Sequence, residues 1–337
     1  MRFGYREACL RHDTGPRHPE TADRLRAIRQ GLSKQHGVAY EEGTLASREA
    51  VEGVHDPEYV AEIESFCADG GGELDADTVA VEATWEAALA SAGLAQWAAE
   101  SALDGADGRD TPFSIGRPPG HHATGDKAMG FCFFNNAAVA ADSALDRDDV
   151  ERVAIFDWDV HHGNGTQDIF YDRGDVFYAS IHERGLFPGT GNLKQTGTGE
   201  AQGTTLNVPF PGGCGDAEYL DAVQTAVVPA LERYDPDLLI VSAGFDAHRK
   251  DPISRMRVST EGYGAMTEEF RDLAERVDAG LAFVLEGGYG LEALAESVRM
   301  VHEVFDGREA LRPEEAPSER GASVVADVRE THGLGET

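Results

Sequence analysis

Short, largely apolar runs are the most regular feature of the chain from about residue 110 onward. Val, Ile, Leu and Phe predominate in these runs and do not alternate with polar residues. A strand that is apolar throughout is typical of a parallel sheet covered on both faces. The predicted strands are Phe113–Ile115, Val153–Trp158, Val176–Ile181, Leu238–Ser242 and Leu281–Leu285.

Amphipathic segments lie before and between these runs. The predicted helical faces are Trp85, Ala88, Leu89, Ala92 and Ala99 in one segment, and Leu220, Val223, Val227 and Leu231, after an N-cap at Asp216, in another. Strands alternating with helices predict a single α/β domain with a doubly wound sheet over residues 1–312. Residues 313–337 are rich in Glu, Ser and Gly, which predicts an acidic and loosely ordered tail.

Length and composition restrict the class of protein. The 337 residues are 41% hydrophobic, which is enough for a large core. No apolar run approaches the roughly 18 residues of a membrane span, and the first residues lack a secretory apolar stretch. We therefore expect a soluble cytoplasmic protein with no membrane partner. Its four cysteines lie far apart, which argues against both a disulfide framework and a cysteine zinc site.

The charge balance is strongly acidic. The chain has 29 Lys and Arg against 61 Asp and Glu, a formal net charge of −32. Such a field repels phosphates, so no direct nucleic-acid partner is expected. Basic tails or polyamines would be attracted. Adaptation to very high salt, which screens self-repulsion, explains the same charge without reference to a substrate.

Candidate chemistry lies directly after the predicted strands, where ligands bind in open parallel α/β sheets. Asp157, Asp159 and His161 share one side of an extended chain because side chains alternate with period two. Asp159 and His161 can bind one metal ion. A lone motif of this kind could also be a capping aspartate beside a structural histidine.

Asp246 follows the strand Leu238–Ser242 and can complete an Asp₂His triad. Three protein ligands with one open position are the arrangement of a catalytic rather than a structural zinc ion. Oxygen and nitrogen ligands without sulfur also suit Fe²⁺ or Co²⁺. The alternative for Asp246 is the N-cap of a helix.

Tandem histidines, His121 and His122, follow the first predicted strand in the segment RPPGHHA. One imidazole can accept a proton from an attacking water while the other remains a cation near the developing charge. Asp157 and Asn164 are candidate partners that would fix the tautomers. An acidic partner would raise the pKa of one histidine, whereas an amide would leave the other pKa near its ordinary value. The alternative is a structural pair.

Tyr289 follows the last predicted strand in the segment LEGGYG. Paired glycines allow the backbone to approach a ligand closely, and a tyrosine hydroxyl can donate to an oxyanion opposite a metal ion. This motif is weak alone. Four such clusters after four strands point together to a metal-dependent hydrolase.

The segments RPPGHHA, GFCFFNN, DWDVHHGNGT, SAGFDAH and LEGGYG resemble the zinc-dependent histone deacetylase superfamily, which also includes acetylpolyamine amidohydrolases and acetoin-utilisation proteins. The resemblance extends from about Thr14 to about Phe305, and Asn164 and the RPP segment are similar to its class II branch. It implies an arginase/deacetylase fold, with an eight-stranded parallel sheet and helices on both faces.

The resemblance also implies a role for each matching residue. The implied zinc ligands are Asp159, His161 and Asp246. The implied catalytic residues are His121, His122, Tyr289, Asp157 and Asn164, with His122 as the principal proton shuttle. The implied substrate tunnel is formed by Gly130, Phe131, Phe187 and Ile253, with Arg24 as a gating arginine behind the metal unless it is a surface helix residue. A structural potassium ion would be bound by Asp157, Asp159, His161, Ser180 and Ile181.

Two positions bear on the substrate. Polyamine-selective relatives can place an acidic gatekeeper where this chain has Ile253, so an acetyl-lysine substrate is favoured over a cationic polyamine. Tyr289 is retained, so activity is expected. The expected function is zinc-dependent hydrolysis of N-ε-acetyl-lysine in a histone or another protein.

Three other functions were weighed against this one. They are hydrolysis of an acetylpolyamine or other acetylated small amine, non-catalytic binding of acetyl-lysine, and a binuclear-manganese ureohydrolase. The last would need more metal-binding side chains than the four clusters contain. Self-association into a homo-oligomer is left open.

Overall fold

The strands of the protein are described by a computed structural model that covers residues 1–335. They are β1 (Arg2–Gly4), β2 (Ala39–Glu41), β3 (Gly71–Glu73), β4 (Val79–Val81), β5 (Pro112–Ser114), β6 (Val153–Asp157), β7 (Val176–Glu183), β8 (Thr205–Phe210), β9 (Leu238–Ala243) and β10 (Gly280–Leu285). Eight of these described strands form one sheet in the order β2-β1-β5-β10-β9-β6-β7-β8, and all its pairings are parallel. Strands β3 and β4 form a small antiparallel pair.

Helices cover both faces of the large sheet. They are α1 (Asp23–Leu32), α2 (Arg48–Glu52), α3 (Pro57–Ala68), α4 (Thr84–Leu103), α5 (Asn136–Leu145), α6 (Asn164–Phe170), α7 (Asp216–Ala222), α8 (Val228–Tyr234), α9 (Thr260–Val277), α10 (Leu291–Phe305) and α11 (Glu319–Thr331). One face packs against α3, α4 and α5 through residues such as Ile155 and Ile240. The opposite face packs against α1, α9 and α10 through Phe156 and Val241. Consecutive side chains thus enter different layers, and the predicted sheet with helices on both faces is confirmed.

All five predicted strands are present, with bounds shifted by two residues at most. Their burial on both faces explains why an apolar run was a sufficient signal. Strands β1, β2 and β8 were not predicted. The first two have three residues each, and β8 contains Asn207 and Pro209 within its apolar run.

The predicted helical segment around Leu220 and Leu231 is present, with a different start. It consists of α7, a π-helical turn at Val223–Val227, and α8. The N-cap is Gly215, so the assignment of Asp216 was wrong by one residue. The carboxylate of Asp216 instead accepts the N–H of Ser259 at 2.7 Å, which links the starts of α7 and α9.

The carboxyl-terminal segment is more ordered than its composition predicted. Residues Glu319–Thr331 form α11, whose Val325 and Val328 are buried and which packs against β8 and α7. The prediction of a loosely ordered tail was wrong for this helix, because two valines at helical spacing supply an apolar face that average composition conceals. The domain boundary at residue 312 stays a prediction, and the last two residues of the predicted tail lie outside the described residues.

Two further predictions concern the cysteines and the membrane. Cys9, Cys67, Cys132 and Cys214 are all buried and unpaired, as their spacing predicted. None of the helices within residues 1–335 combines the length and apolar character needed to cross a membrane.

Candidate active site

Asp159, His161 and Asp246 lie together beyond the carboxyl ends of two neighbouring strands. Strand β6 leads to Asp159 and His161, and β9, which pairs with β6 in parallel, leads to Asp246. The Nδ1 atom of His161 lies 3.0 Å from Asp159 Oδ1 and 3.2 Å from Asp246 Oδ2. One potential ligand atom from each residue lies within 4.8 Å of the others. The helix N-cap alternative for Asp246 is wrong, because the next described helix, α9, begins at Thr260.

The chemistry of this cluster fits a divalent cation. Asp246 Oδ1 accepts the N–H of Val160 at 2.9 Å, but its buried Oδ2 makes no hydrogen bond of acceptable geometry to any described residue. Two adjacent buried carboxylates repel each other unless a cation or proton lies between them. Two oxygen donors, one nitrogen donor and no sulfur suit Zn²⁺ and also permit Fe²⁺ or Co²⁺.

The pKa values of the cluster residues are also shifted in the direction that favours added positive charge. Burial, with the negative charge of Asp159, raises the pKa of Asp246 to about 6. Burial lowers the pKa of His161, but the adjacent carboxylates of Asp159 and Asp246 outweigh it and raise that pKa to about 10. A bound dication would replace the proton of His161 and hold both carboxylates ionised.

Two glycines allow the carboxylates to come this close. A side chain at Gly244 would collide with Asp159, and one at Gly287 would collide with both Asp159 and Asp246. The N–H of Gly287 also donates to Asp159 Oδ2 at 2.7 Å. The backbone after β9 and β10 is therefore part of the cluster.

His121 makes the contact with Asp157 that the sequence predicted. Its Nδ1 lies 2.9 Å from Asp157 Oδ2, which also accepts the hydroxyl of Tyr178 at 3.1 Å. Burial lowers the pKa of His121, but the charges of Asp157 and Asp159 outweigh it and raise the pKa to about 10. A protonated His121 is therefore the favoured form in this environment.

His122 has the predicted amide partner, but its pKa differs from the expectation. Its Nδ1 lies 2.8 Å from Asn164 Oδ1. Burial, together with the positive charges of His121 and His161, lowers the pKa of His122 well below its ordinary value. The expectation of an ordinary pKa was wrong because it considered the hydrogen-bond partner and not the burial. The two histidines thus differ strongly in basicity, as a proton donor and a proton acceptor must.

Glu286 is a buried residue of this site that sequence reasoning missed. Its Oε2 accepts the N–H groups of Gly120 at 2.7 Å and His121 at 3.2 Å, and its Oε1 accepts the hydroxyl of Ser242 at 3.3 Å. The carboxylate therefore joins the histidine turn to the ends of β9 and β10. The sequence feature that could have identified Glu286 is its position directly after an apolar strand.

A cavity of about 220 Å³ opens above the metal cluster. Its lining residues are Asp77, Pro119, His121, His122, Gly130, Phe131, His161, Leu186, Phe187, Ile253 and Tyr289. The structure thus brings together the histidine pair, one metal-cluster residue, the tyrosine and four of the five residues predicted to form the tunnel. Asp77, Pro119 and Leu186 were not predicted.

The cavity walls have a defined shape. The ring of Phe187 stands perpendicular to that of His122, with centroids 5.0 Å apart. Gly130 and Phe131 both have positive φ, 55° and 72°. At Gly130 this conformation suits glycine, and a side chain there would collide with His122 and Phe187. An aliphatic chain can therefore pass between the aromatic walls.

Tyr289 lines the same cavity as the histidine pair. Its ring meets Phe131 edge-on at 5.8 Å, and the guanidinium of Arg24 lies 5.0 Å from its centroid. Burial raises the pKa of Tyr289 well above its ordinary value, so its hydroxyl stays protonated at neutral pH. It can therefore donate a hydrogen bond to an oxygen in the cavity.

Asp251 is a second missed residue, and it holds the backbone of Tyr289. One carboxylate oxygen accepts the N–H groups of Tyr289 at 2.7 Å and Gly290 at 2.8 Å, and the other accepts the N–H of Ile253 at 3.0 Å. The side chain is buried. Asp251 thus connects a cavity-wall residue, Ile253, to the tyrosine.

Asp251→Asn should lower kcat roughly ten- to hundredfold with little change in KM, because displaced reacting groups are costly. The amide oxygen can replace one carboxylate oxygen, but the NH₂ group then faces the N–H of Ile253. In a Tyr289→Phe background the same substitution should have almost no further effect on kcat. Steady-state kinetics of the two single variants and the double variant test this. An equal loss in both backgrounds would mean that Asp251 does not act through Tyr289.

Arg24 is fully buried, so the alternative of a surface arginine was wrong. Its Nε donates to the carbonyl of Gly288 at 2.7 Å, and a terminal nitrogen donates to the carbonyl of Glu286. Arg24 also pairs with Glu20 at 3.2 Å. Glu20 in turn accepts two hydrogen bonds from buried Arg117, at 2.8 and 2.6 Å. This buried ion network supports the Tyr289 loop from behind.

Glu20→Gln should lower the free energy of unfolding at pH 7 by about 3–5 kcal/mol, because it leaves two buried guanidinium groups undercompensated. Burial raises the pKa of Glu20, but Arg117 and Arg24 outweigh it and lower the pKa to about 2. The stabilisation is therefore full above the ordinary pKa of about 4.5 and is lost as the pH falls towards 2. Urea unfolding at both ends of this window should show the difference from wild type shrink. The exposed Glu49→Gln is the control, and a small or pH-independent difference would contradict the prediction.

The predicted potassium ligands lie next to one another on paired strands. Asp157 on β6 is in register with Ser180 on β7, and Ile181 follows it. The Oγ of Ser180 lies 3.0 Å from His182 Nδ1, and both carboxylate oxygens of Asp157 already accept hydrogen bonds. Binding of a potassium ion here stays a prediction, in which most of the ligands would be backbone oxygens.

Comparison with known proteins agrees with this arrangement. A family model described as the histone deacetylase domain matches residues 18–305. A histone deacetylase-like amidohydrolase from Pseudomonas aeruginosa is 41% identical over 310 residues, covering 85% of this chain and 81% of its own length. A probable deacetylase from Methanothermobacter thermautotrophicus is 43% identical over 295 residues, covering 87% of each chain.

A solved structure shares the fold. The crystal structure of the HDA15 HD domain superposes with a TM-score of 0.89 at 36% sequence identity, covering 98% of this chain and 93% of that one.

Proposed function

Because this chain belongs to the histone deacetylase family, we propose that it is a zinc-dependent deacetylase that hydrolyses the amide of N-ε-acetyl-lysine in a protein to a free amine and acetate. One observation carries the proposal. A narrow, aromatic-walled cavity ends at a metal-binding triad, a histidine pair of unequal basicity and a tyrosine donor.

Each polar group at the cavity floor has a task in amide hydrolysis. A zinc ion held by Asp159, His161 and Asp246 would supply Lewis-acid polarisation of a carbonyl and of a water. Tyr289 would donate its hydroxyl proton in a hydrogen bond to the acetyl oxygen as charge develops there.

Proton transfer is assigned to the two histidines. His122 is neutral and its Nδ1 is engaged with Asn164, so its Nε2 is the free acceptor for the proton of the attacking water. His121, held by Asp157, carries a positive charge beside the reacting atoms. The leaving amine would take its proton from this pair, in keeping with the proposed role of His122 as principal shuttle.

The cavity walls favour an acetylated lysine over an acetylated polyamine. Ile253 contributes an apolar side chain to the wall at the position where polyamine-selective relatives can have an acidic one. Phe131 and Phe187 provide apolar surface for the lysine methylenes. The acetylpolyamine alternative remains the second candidate because the overall charge of −32 attracts polycations.

Zinc-loaded protein assayed on an acetyl-lysine peptide, an acetylated polyamine and a longer acyl-lysine peptide would test the proposal. We expect kcat/KM to be highest on the acetyl-lysine peptide. A clear preference for the polyamine would favour the small-amine alternative. Stoichiometric zinc without hydrolysis of any of the three would favour a non-catalytic acetyl-lysine-binding protein.

A binuclear ureohydrolase has no support in the described residues. Within residues 1–335, one group of three metal-ligating side chains is close enough to bind an ion, and it has the composition of a single-metal site.

A further inference from the structure

Most arginines of this chain have an internal partner. Asp and Glu outnumber Lys and Arg by 61 to 29, and most arginines form an ion pair with a nearby carboxylate. Within the described part of the chain, the arginines that make neither an ion pair nor a side-chain hydrogen bond are Arg17, Arg184, Arg249, Arg257 and Arg320. All five are exposed.

Three of these arginines lie in segments that form the cavity wall. Arg184 precedes the wall residue Leu186 by two positions. Arg249 and Arg257 belong to a loop of residues 249–257, which we call the strap. The base of the strap is closed by the N–H of Arg249, which donates to Val258 O at 2.8 Å, and its middle residue, Ile253, lines the cavity.

The two segments lie side by side. Glu183, a buried residue at the end of β7, accepts the N–H of Arg255 at 2.9 Å and its Nε at 2.6 Å. Arg255 lies in the strap, and Arg184 follows Glu183 directly. The side chain of Arg255 remains 73% exposed despite this pairing, so it adds to the positive surface. The two adjacent segments that contribute Leu186 and Ile253 to the cavity wall therefore carry four exposed arginines.

A third segment contributes an acidic residue to the cavity lining. Asp77 lines the cavity, and Asp75 lies two residues before it, where it accepts the N–H of Thr78 at 2.6 Å. His18, which packs against Phe131 at 4.5 Å, holds the carbonyl of Asp77 at 2.9 Å. The acidic residue of the cavity lining thus belongs to a different segment from the two that carry the arginines.

Such an arrangement would be unremarkable on a protein with balanced charge, where unpaired arginines are ordinary solvated side chains. In a chain with twice as many carboxylates as cations most arginines have a carboxylate neighbour, and three that lack one lie in two adjacent segments of the cavity wall. A guanidinium binds a carboxylate through two parallel hydrogen bonds, and such direct contacts persist when salt screens the long-range field of the chain.

We propose that Arg184, Arg249 and Arg257 bind an acidic segment of the substrate protein that flanks the acetylated lysine. The inference depends on the proposed deacetylase function, and it adds a substrate class. The preferred substrate is an acidic protein with Asp or Glu beside the acetyl-lysine. A cationic acetylpolyamine would be repelled by the same three side chains.

Three acetyl-lysine peptides of equal length, flanked by Glu, by Gln or by Arg, would test this at one fixed salt concentration. Both Kd, from fluorescence anisotropy, and kcat/KM are measured. We expect the Glu peptide to bind about three- to tenfold more tightly than the Gln peptide, since each exposed ion pair contributes little. The Arg peptide should bind most weakly.

The variants Arg184→Gln, Arg249→Gln and Arg257→Gln, singly and combined, should remove this preference and leave hydrolysis of the Gln peptide unchanged. Lys34→Gln, which removes an exposed cation just after α1, is the matched control and should keep the preference. Equal Kd values for the three peptides, or a preference unchanged in the triple variant, would overturn the proposal. Charge-dependent binding without hydrolysis would instead contradict the deacetylase function and leave the acidic docking surface supported.

Discussion

Tyr289→Phe should lower kcat on the preferred acetylated substrate by roughly two to three orders of magnitude while zinc content stays unchanged. A donor to a developing oxyanion contributes about 3–4 kcal/mol to the transition state. The hydroxyl of Tyr289 is the candidate donor, because it lines the cavity with His121 and His122 and its raised pKa keeps it protonated. Phenylalanine keeps the ring contacts with Phe131 and Arg24, so the loss isolates the hydroxyl.

Steady-state kinetics and metal analysis of the purified variant give the two readouts. Tyr40→Phe, at a partly exposed position remote from the cavity residues, is the matched control and should behave as wild type. Turnover within a few fold of wild type in the Tyr289 variant would remove the role assigned to this residue. Loss of zinc together with activity would indicate a structural defect instead.

Asp246→Asn should abolish stable zinc binding and lower kcat by at least roughly three orders of magnitude, because metal Lewis acidity contributes several kcal/mol. The substitution removes one of two anionic ligands with almost no change in volume. The amide oxygen can still accept the N–H of Val160, so the local fold should survive. The unpartnered Oδ2 of Asp246 is the atom whose charge the metal requires.

Zinc stoichiometry after dialysis, measured with activity, checks this prediction. Asp168→Asn, at an exposed position on α6, carries the same chemical change away from the cluster and should keep both zinc and turnover. A fully zinc-loaded and active Asp246 variant would show that the ion is bound elsewhere. Excess zinc that restores part of the activity would instead show a weakened but intact site.

The five predicted strands could be read from the sequence because each is buried on both faces and therefore apolar throughout. Strand β8 was not predicted because Asn207 and Pro209 interrupt its apolar run, although all its residues are buried in the structure. Helix α11 was not predicted because its sequence is mostly polar. Two valines among polar residues suffice to bury one face of a helix against β8, and average composition is insensitive to that spacing.

The candidate site could be predicted where residues follow apolar strands within one motif. Asp159, His161, Asp246 and Tyr289 all satisfy this condition, and the parallel sheet brings the ends of their strands to one edge. Asp251 and Glu286 belong to equally short motifs, but their function depends on which backbone N–H groups lie near their carboxylates. Those partners are up to 166 residues away along the chain.

The sequence by itself determined the positions of five strands and the chemical types of the groups after them, because both depend on short local patterns. The tertiary structure alone decided the pKa values of the histidines, the burial of Arg24 with Glu20, and the contact between the two arginine-bearing segments beside the cavity. Desolvation and Coulomb interaction depend on distance in space, and residues far apart in the chain become neighbours only when the sheet has formed.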